Sequence, residues 1–305
     1  MIECVENYDL KPHTTFKIGG LAKKVYFPKS KAEFTEILSE LADQSPVVLG
    51  GCSNVLISSN GISNPVIMTS NLDKYEFIGN ILTAECGVKG VVISKEAQKL
   101  EFGGLEFMIG FPGWIGGMVY MNASAHNQSI ADIFVEAEVF DLNEKKVITL
   151  TKEDMKFSYR KSVLQIMPYI LISAKFKLEK KSPEIINDLM ERNLEFRKTR
   201  QPNLADPNIG SIFRNPAGDS AGRLLDLVGA KNFKSGGAKI WHNHANFIVN
   251  TGNATSLDVL NLIKMCYDEI YKDYMIKLIP EIKFIGDMDN DEAEIWNTVS
   301  IKGLV

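Results

Sequence analysis

The stretch NIGSIFRNP, residues 208–216, sets the hydroxyl of Ser211 between a glycine and two apolar residues, with Arg214, Asn215 and Pro216 close behind. A serine nucleophile needs a base to take its proton and a third group to orient that base. The local pattern is not G-x-S-x-G, so the strained elbow of a hydrolase serine is missing. Ser211 is therefore either a turn residue or a hydroxyl that works without becoming a nucleophile. Two other residues carry a similar double reading. Arg160, in FSYRKS (157–162), is a fixed cation or a surface ion-pair partner. Glu281, in LIPEIKFIG (278–286), is a site carboxylate or a solvated strand start. His242 and His244 of WHNH would share one face of a strand. The other histidines are His13 and His126, and no carboxylate or cysteine sits at ligand spacing. Zinc takes three or four such groups, so no metal site is expected, and His244 reads as part of a polar, substrate-contacting wall.

Two glycine clusters add a second kind of chemistry. LGGCSNVL (49–56) is a strand that runs into Gly50, Gly51, Cys52, Ser53 and Asn54. Successive amides in such a turn can form a nest for phosphate oxygens, with the Ser and Asn side chains as extra donors. FPGWIGGMVYMNASA (111–125) holds Pro112, Gly113, Gly116 and Gly117, followed by Asn122. So few large side chains in a row forfeit core area, which suits close approach of a ligand or another backbone. Two such turns about sixty residues apart suggest a long ligand with a diphosphate. Neither is G-x-G-x-x-G followed by a helix and a distant acid, so a dinucleotide would bind here by something other than a Rossmann fold.

These turns need strands and helices to hold them. SKAEFTEILSELADQ (30–44) reads as a helix capped by Ser30, with Phe34, Ile37, Leu38 and Leu41 on one face. Short strands follow at PVVLG, VIMTS and ILTAEC, then a helix at 91–100 with Val91, Val92, Ala97 and Leu100 as its apolar positions. FVEAEVFD (134–141) and KKVITLT (145–151) read as a hairpin, and YILISAKFKLEK (169–180) as a long strand. Ser182 and Pro183 begin a helix that ends before Pro202, its stripe being Ile186, Leu189, Met190 and Leu194. A helix near 219–229, a strand at 245–250, a helix from Thr255 to about Tyr271 and a strand at 281–286 complete the pattern. The expected division is 1–181, with subdomains of about 1–70 and 71–181, then 182–286, then a loose acidic extension at 287–305.

The chain has 305 residues, enough for two or three packed modules, and a formal net charge of −4. That charge argues against nucleic acid or an anionic membrane as the partner, since neutralising phosphates takes clustered Lys and Arg. Cys4, Cys52, Cys86 and Cys266 are far apart, as free thiols of a reducing compartment would be. MIECVENYDL lacks the apolar stretch of a secretory signal. A cytoplasmic protein is expected; nothing here fixes its oligomeric state.

Taken together, HTTFKIGG, LGGCSNVL, GFPGWIGGMVYMNASA, FSYRKS, GSIFRNP, HANFIVN and PEIKFIG resemble, in order and spacing, the UDP-N-acetylenolpyruvoylglucosamine reductase family. The resemblance runs from about His13 to Gly286. It implies an α+β fold: a two-subdomain FAD-binding module of the vanillyl-alcohol-oxidase/p-cresol-methylhydroxylase type and a C-terminal α+β substrate domain. FAD would lie between the two subdomains, its diphosphate against Gly50–Asn54 and Gly113–Gly117. Arg160, Ser211 and Glu281 match the family's catalytic positions, and Asn215 a substrate-binding one. No room exists between Tyr169 and Ser182 for the tyrosine-bearing insertion of some relatives, so the chain resembles the shorter subclass. Three features depart from the family pattern: Cys52 and Trp114 where smaller residues are usual, and a NASAHNQSI segment poorer in glycine.

The implied activity is NADPH-dependent reduction of a UDP-sugar enolpyruvyl ether, a small-molecule substrate, in peptidoglycan precursor synthesis. Arg160 would oppose the negative charge that builds up on the enolpyruvyl group, Ser211 would deliver a proton, and Glu281 would orient hydrogen bonds or hold a proton itself. One rival is another FAD-linked sugar or lactone oxidoreductase, which would be reoxidised productively by oxygen. Another is a nucleotide-binding protein without redox chemistry, which would purify colourless or with flavin that NADPH does not bleach.

Overall fold

The computed structural model describes residues 3–300. It forms two compact units, neither contiguous in sequence. The first takes the residues up to Val5, Lys24–Gly51 and Asn64–Arg197; the second takes Glu6–Lys23, Cys52–Ser63 and the chain from Lys198 onward. The single cut expected at 181 is thus replaced by several crossings. The reason is strand pairing: Lys283–Ile285 runs parallel to Val55–Ile57, with Phe284 opposite Leu56, so an early segment completes the late unit.

In the first unit an antiparallel sheet runs in the order Lys146–Thr151, Phe134–Asp141, Tyr169–Lys177, Ile81–Glu85, Tyr75–Ile78. The hairpin forms as its sequence indicates, Val139 facing Ile148 across it. A smaller sheet pairs Val66–Met68 in parallel with Leu21–Tyr26 on one side and Val47–Leu49 on the other. Parallel neighbours need a crossover, and the helix Lys31–Leu41 supplies one. Ser30 caps it by accepting the Glu33 N–H at 3.2 Å, and Phe34, Ile37, Leu38 and Leu41 are buried as the 3.6-residue period requires.

Two helices turn a different face inward than their apolar residues suggest. In Gly90–Lys99 the buried positions are Gly90, Ile93, Ser94 and Ala97, while Val92 and Leu100 are exposed. Ser94 is tolerated in the core because its hydroxyl donates to the Leu105 carbonyl at 2.8 Å. In Pro183–Arg200 the buried residues are Ile186, Met190 and Asn193, and Leu194 is exposed. Asn193 donates its Nδ2 proton to the Glu106 carbonyl at 2.9 Å. A satisfied polar group costs little to bury, so it can displace a leucine from the inner face. Residues 178–182 join the Tyr169–Lys177 strand to this helix without an inserted domain.

The second unit has an antiparallel sheet in the order Asn208–Gly210, Phe247–Asn250, Ala238–Ile240, Lys234–Ser235. The helix Ser256–Tyr274 covers it, capped by Thr255 and Asp258, with Val259, Ile263, Cys266 and Ile270 in the core. Residues beyond Gly286 are not a loose extension. Asp289 and Glu292 form a capping box for the helix Asn290–Val299, which buries Ile295 and Val299. Glu292 is buried as well, accepting from Ser58 Oγ at 3.0 Å, Asn60 Nδ2 at 3.2 Å and Ser256 Oγ. A row of donors on one carboxylate is what lets a charge stay inside a core. Residues 301–305 of the expected extension lie outside the described residues.

Candidate active site

Within the first unit the two glycine clusters meet. The strand Val47–Leu49 delivers Gly50 and Gly51 under the indole of Trp114; a Cβ on Gly51 would come within 2.7 Å of Trp114 Nε1. Trp114 opens the short helix Ile115–Tyr120. The helix is anchored by backbone bonds from Ile115 to Val88 and from Gly116 to Cys86, at 2.9 and 2.8 Å. Gly113 and Gly116 are explained by packing, because a Cβ would press on Met118 and on the Cys86 carbonyl. Gly117 is not: a Cβ there would meet nothing within 4 Å. A glycine inside a helix that its own protein does not need for space suits a flat partner drawn close to the backbone. Of the glycines in these two turns, Gly117 is the one whose face the described residues leave uncovered, while Gly50 and Gly51 lie against Trp114.

The remaining members of the first cluster behave differently from one another. Cys52 takes a left-handed backbone (φ 48°) and buries its thiol, whose pKa burial pushes up to about 12. Any ligand contact from it runs through the backbone. Ser53 is half-buried, and Asn54 donates from Nδ2 to the Glu281 carbonyl at 3.1 Å while its own carbonyl accepts from Lys283 N at 3.0 Å. Asn54 thus fixes the approach to Glu281. Asn122, expected as a flavin contact, has both ends of its carboxamide engaged, donating to the Ser158 carbonyl and accepting the Ala131 N–H, each at 3.0 Å.

That clamp holds the turn that presents Arg160. Ser158 and Lys161 exchange two backbone hydrogen bonds at 3.2 and 3.1 Å, leaving Tyr159 and Arg160 at the tip. Arg160 has φ 58°, a left-handed position that favours glycine. Gln165 supports it from behind, its Nε2 donating to the carbonyls of Arg160 at 3.0 Å and Tyr120 at 2.7 Å. The guanidinium lies 5.1 Å from the Tyr159 ring centre, and Nη1 donates to Ser124 Oγ at 2.5 Å. Sequence reading passed over Ser124 and Gln165; a short polar residue in a glycine-poor version of NASAHNQSI was the available signal for the first.

In the second unit Ser211 and Glu281 are brought together. Ser211 follows the Asn208–Gly210 strand through a cis Gly210–Ser211 peptide. Its neighbour Ile212 accepts the Glu281 N–H at 2.7 Å, and Arg214 N donates to Ile279 O at 2.9 Å. Glu281 is 8% exposed and precedes its strand rather than opening it. Buried Asn246, inside HANFIVN, grips the same segment: its Oδ1 accepts the Phe213 N–H and its Nδ2 donates to the Phe213 carbonyl, both at 2.9 Å. A polar residue directly before an apolar strand was its signal, missed in the sequence. The Ser211 hydroxyl itself has no hydrogen-bond partner among the described residues.

Asn215 accepts the Ala221 N–H at 3.0 Å and so helps start the helix Ala221–Leu227. His244 packs against Gly222 of that helix. Burial, then the positive charges of Lys231 and Arg200, lower its pKa below the ordinary histidine value. The Asn246 N–H donates to Nδ1 at 3.2 Å, which puts the proton of the neutral ring on Nε2, a donor for a ligand oxygen. Among the described residues no group of three or more His, Cys, Asp and Glu could hold a metal ion.

A family model described as the C-terminal domain of UDP-N-acetylenolpyruvoylglucosamine reductase matches residues 201–285, and one described as an FAD binding domain matches 22–151. The reductase of Caldicellulosiruptor bescii is 41% identical over 293 residues, 94% of this chain and 92% of its own. That of Bacillus subtilis is 39% identical over 284 residues, 92% and 93% of the two chains. The crystal structure of the Thermus caldophilus enzyme is similar with a TM-score of 0.79 at 31% identity, covering 93% of this chain and 98% of that one. The chain belongs to the UDP-N-acetylenolpyruvoylglucosamine reductase family.

Proposed function

We propose that this chain reduces UDP-N-acetylglucosamine enolpyruvate to UDP-N-acetylmuramate, an early step in peptidoglycan synthesis, using FAD and NADPH. FAD, when bound, supplies hydride transfer from NADPH to C3 of the enolpyruvyl group. The protein must then manage the negative charge that builds on the enolpyruvyl carboxylate and the proton that C2 needs. Arg160 answers the first, as a fixed cation on a clamped turn. Ser211 answers the second: a hydroxyl held at hydrogen-bond reach can act as general acid without a histidine beside it. Glu281 orients the hydrogen bonds at that carbon or carries a proton. Asn215 and the Nε2 proton of His244 hold the UDP-sugar. We assign the reaction to the cytoplasm because NADPH and nucleotide sugars are available there.

The observation that carries this reading is the Ser211 hydroxyl, unengaged among the described residues on a backbone fixed by Asn246 and by the segment before Glu281. Ser211→Ala should leave flavin reduction by NADPH fast and slow reoxidation by the enolpyruvyl nucleotide by about a hundredfold or more. Anaerobic stopped-flow absorbance separates the two halves. Reoxidation of the variant at the normal rate would remove Ser211 from the mechanism.

A further inference from the structure

An arginine side chain has many rotamers, and a cation assists a reaction in proportion to how firmly it is aimed before the charge develops. The backbone of the Arg160 turn is fixed by Asn122 and Gln165. Ser124 reaches the guanidinium itself. Its Oγ accepts from Nη1 at 2.5 Å and its carbonyl lies 3.4 Å from the same nitrogen. Ser124 is itself held by pairing with Ser129, and it falls in the segment where this chain is poorer in glycine than its resemblance implies. Glycine at this position would keep the carbonyl and lose the hydroxyl.

We propose that Ser124 is a positioning residue for the reduction: its hydroxyl, bonded to Nη1, sets the direction in which Arg160 presents its guanidinium to the enolpyruvyl carboxylate. The inference rests on the reading of Arg160 given above. A guanidinium has five N–H donors, so spending one on Ser124 leaves others to face the substrate. The Tyr159 ring on the same tip limits the swing of the side chain further.

Ser124 is not in the left-handed region, so alanine fits its backbone. In Ser124→Ala, flavin reduction by NADPH should be normal, kcat for the enolpyruvyl substrate should fall about tenfold and KM should change less than twofold, because an interaction that matters in the transition state lowers kcat and kcat/KM together. Ser124→Thr, which retains the hydroxyl, should recover most of the loss. In an Arg160→Ala background, Ser124→Ala should have no further effect, an outcome that a general loss of structure would not give. Flavin absorbance and circular dichroism of each variant report folding; Ser124→Gly serves as the second variant. Reoxidation of both Ser124→Ala and Ser124→Gly at the parent rate, with Arg160→Ala slow, overturns the positioning role alone. Arg160→Ala at the parent rate overturns the assignment of Arg160 itself.

Discussion

At the scale of single residues, Arg160 is one of several non-glycine positions with a left-handed backbone. A left-handed φ disfavours a non-glycine residue by roughly 1 kcal/mol. Arg160→Gly should therefore hold or raise stability, by up to about 1 kcal/mol, while lowering kcat on the order of a hundredfold. Urea unfolding and turnover, measured on the same preparation, check both halves. A surface ion-pair role predicts unchanged turnover instead. His244 gives the pH dependence. An unfolded histidine titrates near 6.5, and the folded ring lies lower. Its contribution to stability is thus intact above about pH 6.5 and is lost as pH falls through the folded value, because the unfolded chain takes up the proton first. His244→Gln should flatten the stability profile in that acid window, read from denaturation midpoints at a series of pH values. Arg160, Ser211 and Glu281 stood out in the sequence as candidates by type and setting. The contacts made by Asn54, Ser124, Gln165 and Asn246 were not legible there, since nothing in a hydroxyl or carboxamide says which distant group it will meet.

Among the elements, the helix Ile115–Tyr120 offers the cleanest test of cofactor fit. Gly117 is helical, faces open space and carries the backbone penalty of a helical glycine. Gly117→Ala should raise the stability of flavin-free protein by up to about 1 kcal/mol. It should also weaken FAD retention, seen as a lower ratio of flavin to protein absorbance after gel filtration. A variant that gains stability and keeps its flavin would show that nothing lies against that face. The same scale shows where periodicity serves and where it fails. Lys31–Leu41 and Ser256–Tyr274 bury the residues their apolar spacing selects. Gly90–Lys99 and Pro183–Arg200 do not, because Ser94 and Asn193 found carbonyl partners and a tally of apolar positions passes over a satisfied polar one.

For the molecule as a whole, the last helix belongs to the fold. Removing residues 290–305 would strip Ser58, Asn60 and Ser256 of the Glu292 carboxylate and uncover the apolar surface beneath Ile295 and Val299. Exposing apolar surface costs roughly 25 cal/mol per Å², so the truncated chain should melt at least several degrees lower in a thermal scan. An unchanged melting point would mean the tail is dispensable. The parallel pair formed by Val55–Ile57 and Lys283–Ile285 reaches further. A ribosome makes the two partners more than two hundred residues apart, so at roughly 5–20 residues per second the earlier strand waits ten seconds or longer for its neighbour to be made. During that interval its unpaired edge is open to other chains. Yield in the cell should then depend on elongation speed and chaperone supply more than the stability of the finished enzyme would suggest.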